Sequence, residues 1–223
     1  MKINSNPPHA VTPVLTAGAS LDKASLAVVL LHGRGGSAED ILGLASAFDT
    51  HDVAYLAPQA AGHTWYPLSF LAPRQDNEPY LSSALDKVEA IVRSIEQSGL
   101  QPNRIVLAGF SQGACLSAEF VASDPAKYAG LIAFTGGLIG SPGSLRYGTG
   151  PASSAKLDGM PVLLSSGDPD PHVPWQRVEE SASILRAMGA SVTTNRYPGR
   201  PHTIVGDELT HARLLIEHAR KVS

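Results

Sequence analysis

The stretch Ala108-Gly109-Phe110-Ser111-Gln112-Gly113-Ala114 follows a short apolar run and precedes a segment of helical composition. Its serine has glycine two positions away on each side, the G-x-S-x-G pattern of a nucleophile elbow. With 21 glycines in 223 residues, that pattern can arise by chance, so its surroundings decide what it means. The steric logic is specific. A sharp strand-to-helix turn forces the serine toward strained backbone angles, and only small residues at the flanking positions let strand and helix approach so closely. Gly109 and Gly113 supply those positions, and Ala114 keeps the helix start slim. The hydroxyl is then presented at a helix N-terminus, where oriented N–H groups favour developing negative charge.

Outward from this turn the chain alternates. Short β-branched or apolar runs predict strands at 11–16, 26–31, 53–57, 104–109, 130–134, 161–165 and 192–197. Several are continuous apolar runs, as expected of strands buried on both faces. Between them, Ser37 with Asp40 three positions on forms a capping-box-like helix start. Leu81, Leu85, Val88, Val92 and Ile95 make a stripe at spacings of three and four, ended by Gly99. Further helices are predicted at 112–122, 175–188 and 207–220. Strand, helix, strand, repeated, predicts one α/β domain over 1–223 with a mostly parallel twisted sheet and helices on both faces. Two long segments interrupt the rhythm, 58–79 (Pro and aromatics) and 136–159 (Gly, Ser and Pro). Each follows a predicted strand and is expected over the carboxyl edge of the sheet as a binding loop.

Composition narrows the function classes. A formal charge of −3 gives no broad basic field, so nucleic acid is not expected as a partner. A single cysteine, Cys115, excludes an intramolecular disulfide and fits a reducing, cytoplasmic compartment. The N-terminal segment lacks a signal-peptide core, and the longest strongly apolar run, 26–31, is too short to span a bilayer. The pattern "DPDPH" at 168–172 lacks a partner cluster of metal ligands, so no metal and no cofactor are expected.

A serine nucleophile needs a base, and the base an orienting carboxylate. Among eight histidines, His202 in "YPGRPHTI" lies directly after the last predicted strand, at the same sheet edge as Ser111. His9, His51 and His63 come too early for a serine, acid, histidine order. His211 and His218 fall inside a predicted helix, and His172 reads as a residue of the pocket rim. The segment "LLSSGDPDPHVPW" offers two acids, Asp168 beside Gly167 and Asp170 between two prolines, and the residues by themselves favour neither. Donors for a tetrahedral oxyanion are the amide of Gln112, after the nucleophile, and the amide of Arg34 in the turn His32-Gly33-Arg34-Gly35-Gly36. A phosphate-binding loop is the competing reading of that turn, but the lysine of such loops is missing.

"LLHGRGG", "LAGFSQGA", "SSGDPDPHVP" and "YPGRPHTI", in this order, resemble the carboxylesterase/phospholipase family of α/β-hydrolases, which includes the acyl-protein thioesterases. The resemblance covers the chain from about Leu26 onward and implies an α/β-hydrolase fold with ester hydrolysis through an acyl-serine. It implies Ser111 as nucleophile and His202 as base. The family's G-x-x-D-x-x-V-P block falls on Gly167, Asp170, Val173 and Pro174, which selects Asp170 as the acid. Members near the thioesterases carry H-G-L-G-D where this chain has H-G-R-G-G, so Arg34 is expected to put a cation at the site mouth. Trp65, Tyr66, Phe70 and Leu71 are expected to wall an acyl or aryl pocket, with 136–159 as a second wall. The expected partner is a small-molecule ester of short to medium chain length, with dimerisation left open. Thioesterase and lysophospholipase activity are alternatives within the enzymes, and a non-catalytic hydrolase-like binding protein is the alternative of another class.

Overall fold

The structure, a computed structural model, describes residues 7–48, 50–147 and 157–221. Seven strands form one sheet: β1 (Val14–Gly18), β2 (Leu26–Leu31), β3 (Val53–Pro58), β4 (Ile105–Phe110), β5 (Gly130–Phe134), β6 (Pro161–Asp168) and β7 (Ser191–Pro198). Their spatial order is β1-β3-β2-β4-β5-β6-β7. Only β1 runs antiparallel, along β3, and every other pair is parallel. The helices are α1 (Ala38–Leu42), α2 (Leu44–Phe48), α3 (Tyr80–Gln97), α4 (Gln112–Ser123), α5 (Trp175–Ala187) and α6 (Gly206–Lys221).

The central strand β2 shows why the sheet is covered on both faces. All six of its residues are buried. Ala27, Val29 and Leu31 enter the core beneath α3, α4 and α5, whereas Leu26, Val28 and Leu30 enter the core beneath α1, α2 and α6. Successive strand side chains point to opposite faces, so an unbroken apolar run feeds two cores at once. Each fully buried Leu, Val or Ile contributes about 1.5–3 kcal/mol. In α3 the predicted stripe turns inward: Leu81, Val88, Val92 and Ile95 are buried, and Leu85 packs at the edge of the same core.

Two boundaries depart from the sequence reading by three residues, the others by less. The first strand begins at Val14 rather than 11, because Pro13 has no N–H for the ladder and residues 7–12 close turns through Ala10 N–H to Pro7 O and Thr12 N–H to His9 O. Strand β6 continues to Asp168, since its pairing with β7 runs through Gly167↔Tyr197 and Asp168↔Pro198. A side chain at Gly167 would place its Cβ 2.5 Å from the Arg200 carbonyl oxygen.

The topology locates the candidate site. From β2 the chain moves outward to β3, and from β4 it moves the opposite way to β5. The carboxyl ends of β2 and β4 therefore flank a topological switch point, the crevice in which open α/β sheets bind ligands. The 32–36 loop leaves one of these ends and Ser111 leaves the other.

Candidate active site

Ser111 stands between β4 and α4 with φ 53° and ψ −116°, a region essentially reserved for glycine and costing about 1–3 kcal/mol. Its own N–H donates to Phe134 O at 2.9 Å, and its carbonyl accepts from Cys115 N–H at 3.0 Å. The two glycines of the opening stretch make the turn sterically feasible. A Cβ on Gly113 would lie 2.0 Å from Leu31 O, and one on Gly109 would lie 2.5 Å from the Gly113 carbonyl.

The Ser111 hydroxyl lies 2.8 Å from His202 Nε2. On the other side of the ring, Nδ1 lies 2.8 Å from Asp170 Oδ2 and 3.1 Å from Oδ1. Burial raises the Asp170 pKa, but N–H bonds from His172, His202 and Val173 outweigh it and hold the carboxyl below its ordinary value. An ionised carboxylate only accepts, so the proton of the neutral ring sits on Nδ1 and donates to Asp170. Nε2 then carries a lone pair toward the serine hydroxyl. Phe110 and His172 pack against the same imidazole, with centroids 5.1 Å and 4.8 Å away.

Each member is held by its own surroundings. The Asp170 Oδ1 atom accepts the backbone N–H groups of His172 (2.9 Å) and Val173 (2.8 Å). Asp168 instead pairs with Arg196 on β7 and does not reach the histidine. The loop at 199–205, which carries His202, is closed at its neck by a buried ion pair: Arg200 donates to Glu208 Oε2 at 3.1 Å and to Thr135 Oγ1 at 2.7 Å. Glu208 also accepts from Ser165 Oγ and from Val205 N–H. One buried network thus ties the histidine loop to the end of β5 and to the middle of β6.

The amides of Arg34 and Gln112 have no acceptor among the described residues. His32 accounts for the first. Ala60 N–H donates to its Nε2 at 3.0 Å, so Nδ1 carries the proton and donates to Gly33 O at 2.8 Å. With the Gly33 carbonyl turned to His32, and accepting Gly36 N–H as well, the trans peptide directs the Arg34 N–H the opposite way. Burial lowers the His32 pKa, which favours this neutral form.

A cleft of ≈ 760 Å³ opens over these groups, and its lining includes Arg34, Ser111, Gln112, His172 and His202. Of the expected wall, Tyr66, Phe70 and Leu71 border the cleft, joined by Pro67 and Leu68. Trp65 does not. It is fully buried beneath the loop, donating Nε1–H to His32 O at 2.9 Å and packing against His9 and His32. The expected second wall also fails in its described part, because none of 136–147 or 157–159 borders the cleft. Gly136 is pressed on Ala114 of α4, and Ile139 N–H is bound to the buried Glu119. Residues 148–156 of that expected wall lie outside the described residues. Cys115 is a buried residue at the floor of the cleft, and burial pushes its thiol up to about 12, so it stays a neutral packed residue.

The side-chain anchoring contacts of three polar residues had no signal in the sequence. The Gln112 side chain accepts Trp65 N–H at 2.9 Å and donates to Tyr66 O at 2.8 Å, clamping the aromatic loop to α4. Buried His9 grips the same loop from below through Trp65 O and Ala61 N–H. Arg34, expected as a cation at the mouth, turns its guanidinium onto the rim: Nη1 donates to Thr64 Oγ1 (3.0 Å) and Pro67 O (2.9 Å), and Nη2 to Leu68 O (2.7 Å). Among the described residues, no group of His, Cys, Asp and Glu is arranged to hold a metal ion, and no helix is long and apolar enough to cross a membrane.

The family model for phospholipase/carboxylesterase matches residues 16–219. A crystal structure of a phospholipase/carboxylesterase from Dyadobacter fermentans DSM 18053 is 47% identical, with a TM-score of 0.86, over 92% of this chain and 96% of that one. The acyl-protein thioesterase 1 of Gibberella zeae is 34% identical over 112 residues, which is 50% of this chain and 46% of that protein. The chain thus aligns with less than half the length of that relative. The acyl-protein thioesterase 1 of Cryptococcus neoformans is 25% identical over 226 residues, covering 87% of this chain and 92% of that protein.

Proposed function

The chain belongs to the phospholipase/carboxylesterase family of α/β-hydrolases, and from that premise we propose that it is a serine carboxylesterase acting on short- to medium-chain esters through an acyl-serine intermediate. The observation that carries this reading is the unbroken line from Asp170 through His202 to the Ser111 hydroxyl, with contacts of 2.8 Å on each side of the imidazole. In acylation, Ser111 Oγ attacks the ester carbonyl carbon while His202 Nε2 takes the hydroxyl proton. The carbonyl π-electrons move onto oxygen, and that oxyanion accepts the N–H groups of Gln112 and Arg34. Each such donor is worth roughly 10²–10³ in rate. Collapse breaks the bond to the leaving alcohol, which departs with the proton from His202. Water then repeats the sequence on the acyl-serine: His202 removes its proton, the oxygen attacks, and the free acid leaves as Ser111 regains its proton. Asp170 keeps the imidazole in the required tautomer and stabilises the imidazolium without taking the proton itself.

A cleft of ≈ 760 Å³ falls in the range of small-molecule sites. A thioester is the second reading, favoured by the names of two relatives, both acyl-protein thioesterases, and matched oxygen and sulfur esters of one chain length distinguish the two. The direct test of the serine mechanism is turnover of an aryl butyrate by the Ser111→Ala protein. A loss of about 10⁴-fold or more with the folded spectrum retained is the expected result. Wild-type activity in that variant would sink the assignment.

A further inference from the structure

The guanidinium of Arg34 is an uncompensated charge fixed at the rim of the cleft. Its protein partners are all neutral: the Thr64 hydroxyl and the carbonyls of Pro67 and Leu68. Among the described residues no carboxylate lies within ion-pair distance of it. A guanidinium has five N–H donors, and these three bonds leave Nε and one Nη2 hydrogen without an acceptor among the described residues. The side chain is exposed rather than buried and borders the cleft.

Among the described residues, the lining of the cleft supplies no carboxylate to balance it. Its lining holds Arg34, His172 and His202 and no Asp or Glu. The nearest acid in the site, Asp170, is fully buried behind His202 and spends both oxygens on N–H groups. On the loop side, Asp40 is occupied by the backbone and hydroxyl of Ser37. A chain of net charge −3 therefore presents a fixed cation at the mouth of the cleft, with the Asp170 charge buried behind the histidine. Such an opening draws anionic ligands and repels cationic ones. Because the carbonyl clamp already immobilises the guanidinium, an incoming carboxylate gains a paired donor without the cost of ordering a long side chain.

We propose that Arg34 is a specificity-determining residue that reads a carboxylate on the substrate, so the preferred ester is anionic, with its charge on either the acyl or the alcohol side. The inference rests on the esterase reading above. The chemistry is otherwise unchanged: water cleaves the ester bond, and the products are the alcohol and a carboxylic acid, one of which keeps the recognition carboxylate throughout.

Two matched pairs of esters test it. An aryl mono-adipate against the aryl hexanoate reads charge on the acyl side, and 4-carboxyphenyl butyrate against 4-carbamoylphenyl butyrate reads charge on the alcohol side. At low ionic strength, kcat/KM for at least one anionic ester should exceed its neutral partner by about fivefold, the upper range for a partly exposed ion pair. Added salt should compress that ratio. Arg34→Gln should abolish the ratio whatever it does to the absolute rates, whereas Arg34→Lys should keep part of it. Both ratios at or below one in the wild type, or a ratio that survives Arg34→Gln, would overturn the proposal while leaving the esterase reading intact. If no ester is turned over, the esterase reading itself has failed. Adipate binding to the Ser111→Ala protein then still reads the anion site: it should weaken severalfold when Arg34→Gln is added, and an unchanged affinity would overturn the site.

Discussion

Replacing Asp170 by asparagine isolates the role of one proton. The Oδ1 atom of Asp170 accepts two backbone N–H groups, from His172 and Val173, and Oδ2 faces His202 Nδ1 at 2.8 Å. The amide oxygen of the substituted side chain will keep the two backbone bonds, because the alternative sets an NH₂ group against two donors. Its NH₂ must then occupy the Oδ2 position and donate to Nδ1. Nδ1 can accept only by giving up its own proton, so the imidazole switches tautomer and presents Nε2–H to the Ser111 hydroxyl. The base has become a donor, which costs about 10⁴-fold in kcat, or roughly 5.5 kcal/mol of transition-state stabilisation. The loop stays anchored, so the unfolding midpoint should move little. Asp168→Asn is the paired control. It removes only an exposed ion pair to Arg196, worth about 0.2–1 kcal/mol of stability, and should leave kcat within about twofold. Initial rates on an aryl butyrate, with thermal unfolding of each variant, decide the matter. If Asp170→Asn retains a tenth of wild-type kcat, or Asp168→Asn loses as much as Asp170→Asn, the tautomer argument is wrong.

The other predictions concern packing and protons. Gly113→Ala puts a Cβ 2.0 Å from Leu31 O and 2.6 Å from His32 O, so α4 must retreat from β2; overpacking of this kind costs about 1–3 kcal/mol or more. Gly206→Ala meets nothing within 4 Å and should change stability by under about 0.5 kcal/mol; equal urea midpoints for the two variants would contradict the close-approach account. Burial holds His9 and His32 below their ordinary value of 6.5. Below that pH the unfolded chain therefore binds more protons than the folded one, and stability falls as pH drops from 6.5 toward the folded values. Urea midpoints at pH 7.5 and 5.5 should show this decline, with a shallower slope in His32→Gln; identical slopes would refute the assignment.

The fold was legible because its signals are backbone signals. Continuous apolar runs such as 26–31 mean strands buried on two faces, and the glycines around Ser111 mark a turn that only they permit. Likewise, placing Ser111 and His202 after strands put them at one sheet edge. The side chains of loop residues were less legible, because residue type does not say which side of a loop faces the cleft. Trp65 and Tyr66 are adjacent aromatics, yet one is sealed under the loop with its indole bonded to His32 O and the other borders the opening. Asp168 and Asp170 were equivalent as residues; the pairing of Asp168 with Arg196 depends on β6 extending along β7, which no local pattern announced. Arg34 shows the same limit, since its three acceptors come from a segment about 30 residues further along the chain.

The central claim is that Ser111 is an activated nucleophile, and covalent labelling tests it most directly. A fluorophosphonate transfers its phosphonyl group to an activated serine oxygen and loses fluoride. Intact-protein mass should then rise by one adduct, peptide mapping should place it on Ser111, and Ser111→Ala should stay unlabelled. An adduct on any other residue, or no adduct on the folded wild-type protein, would contradict the account.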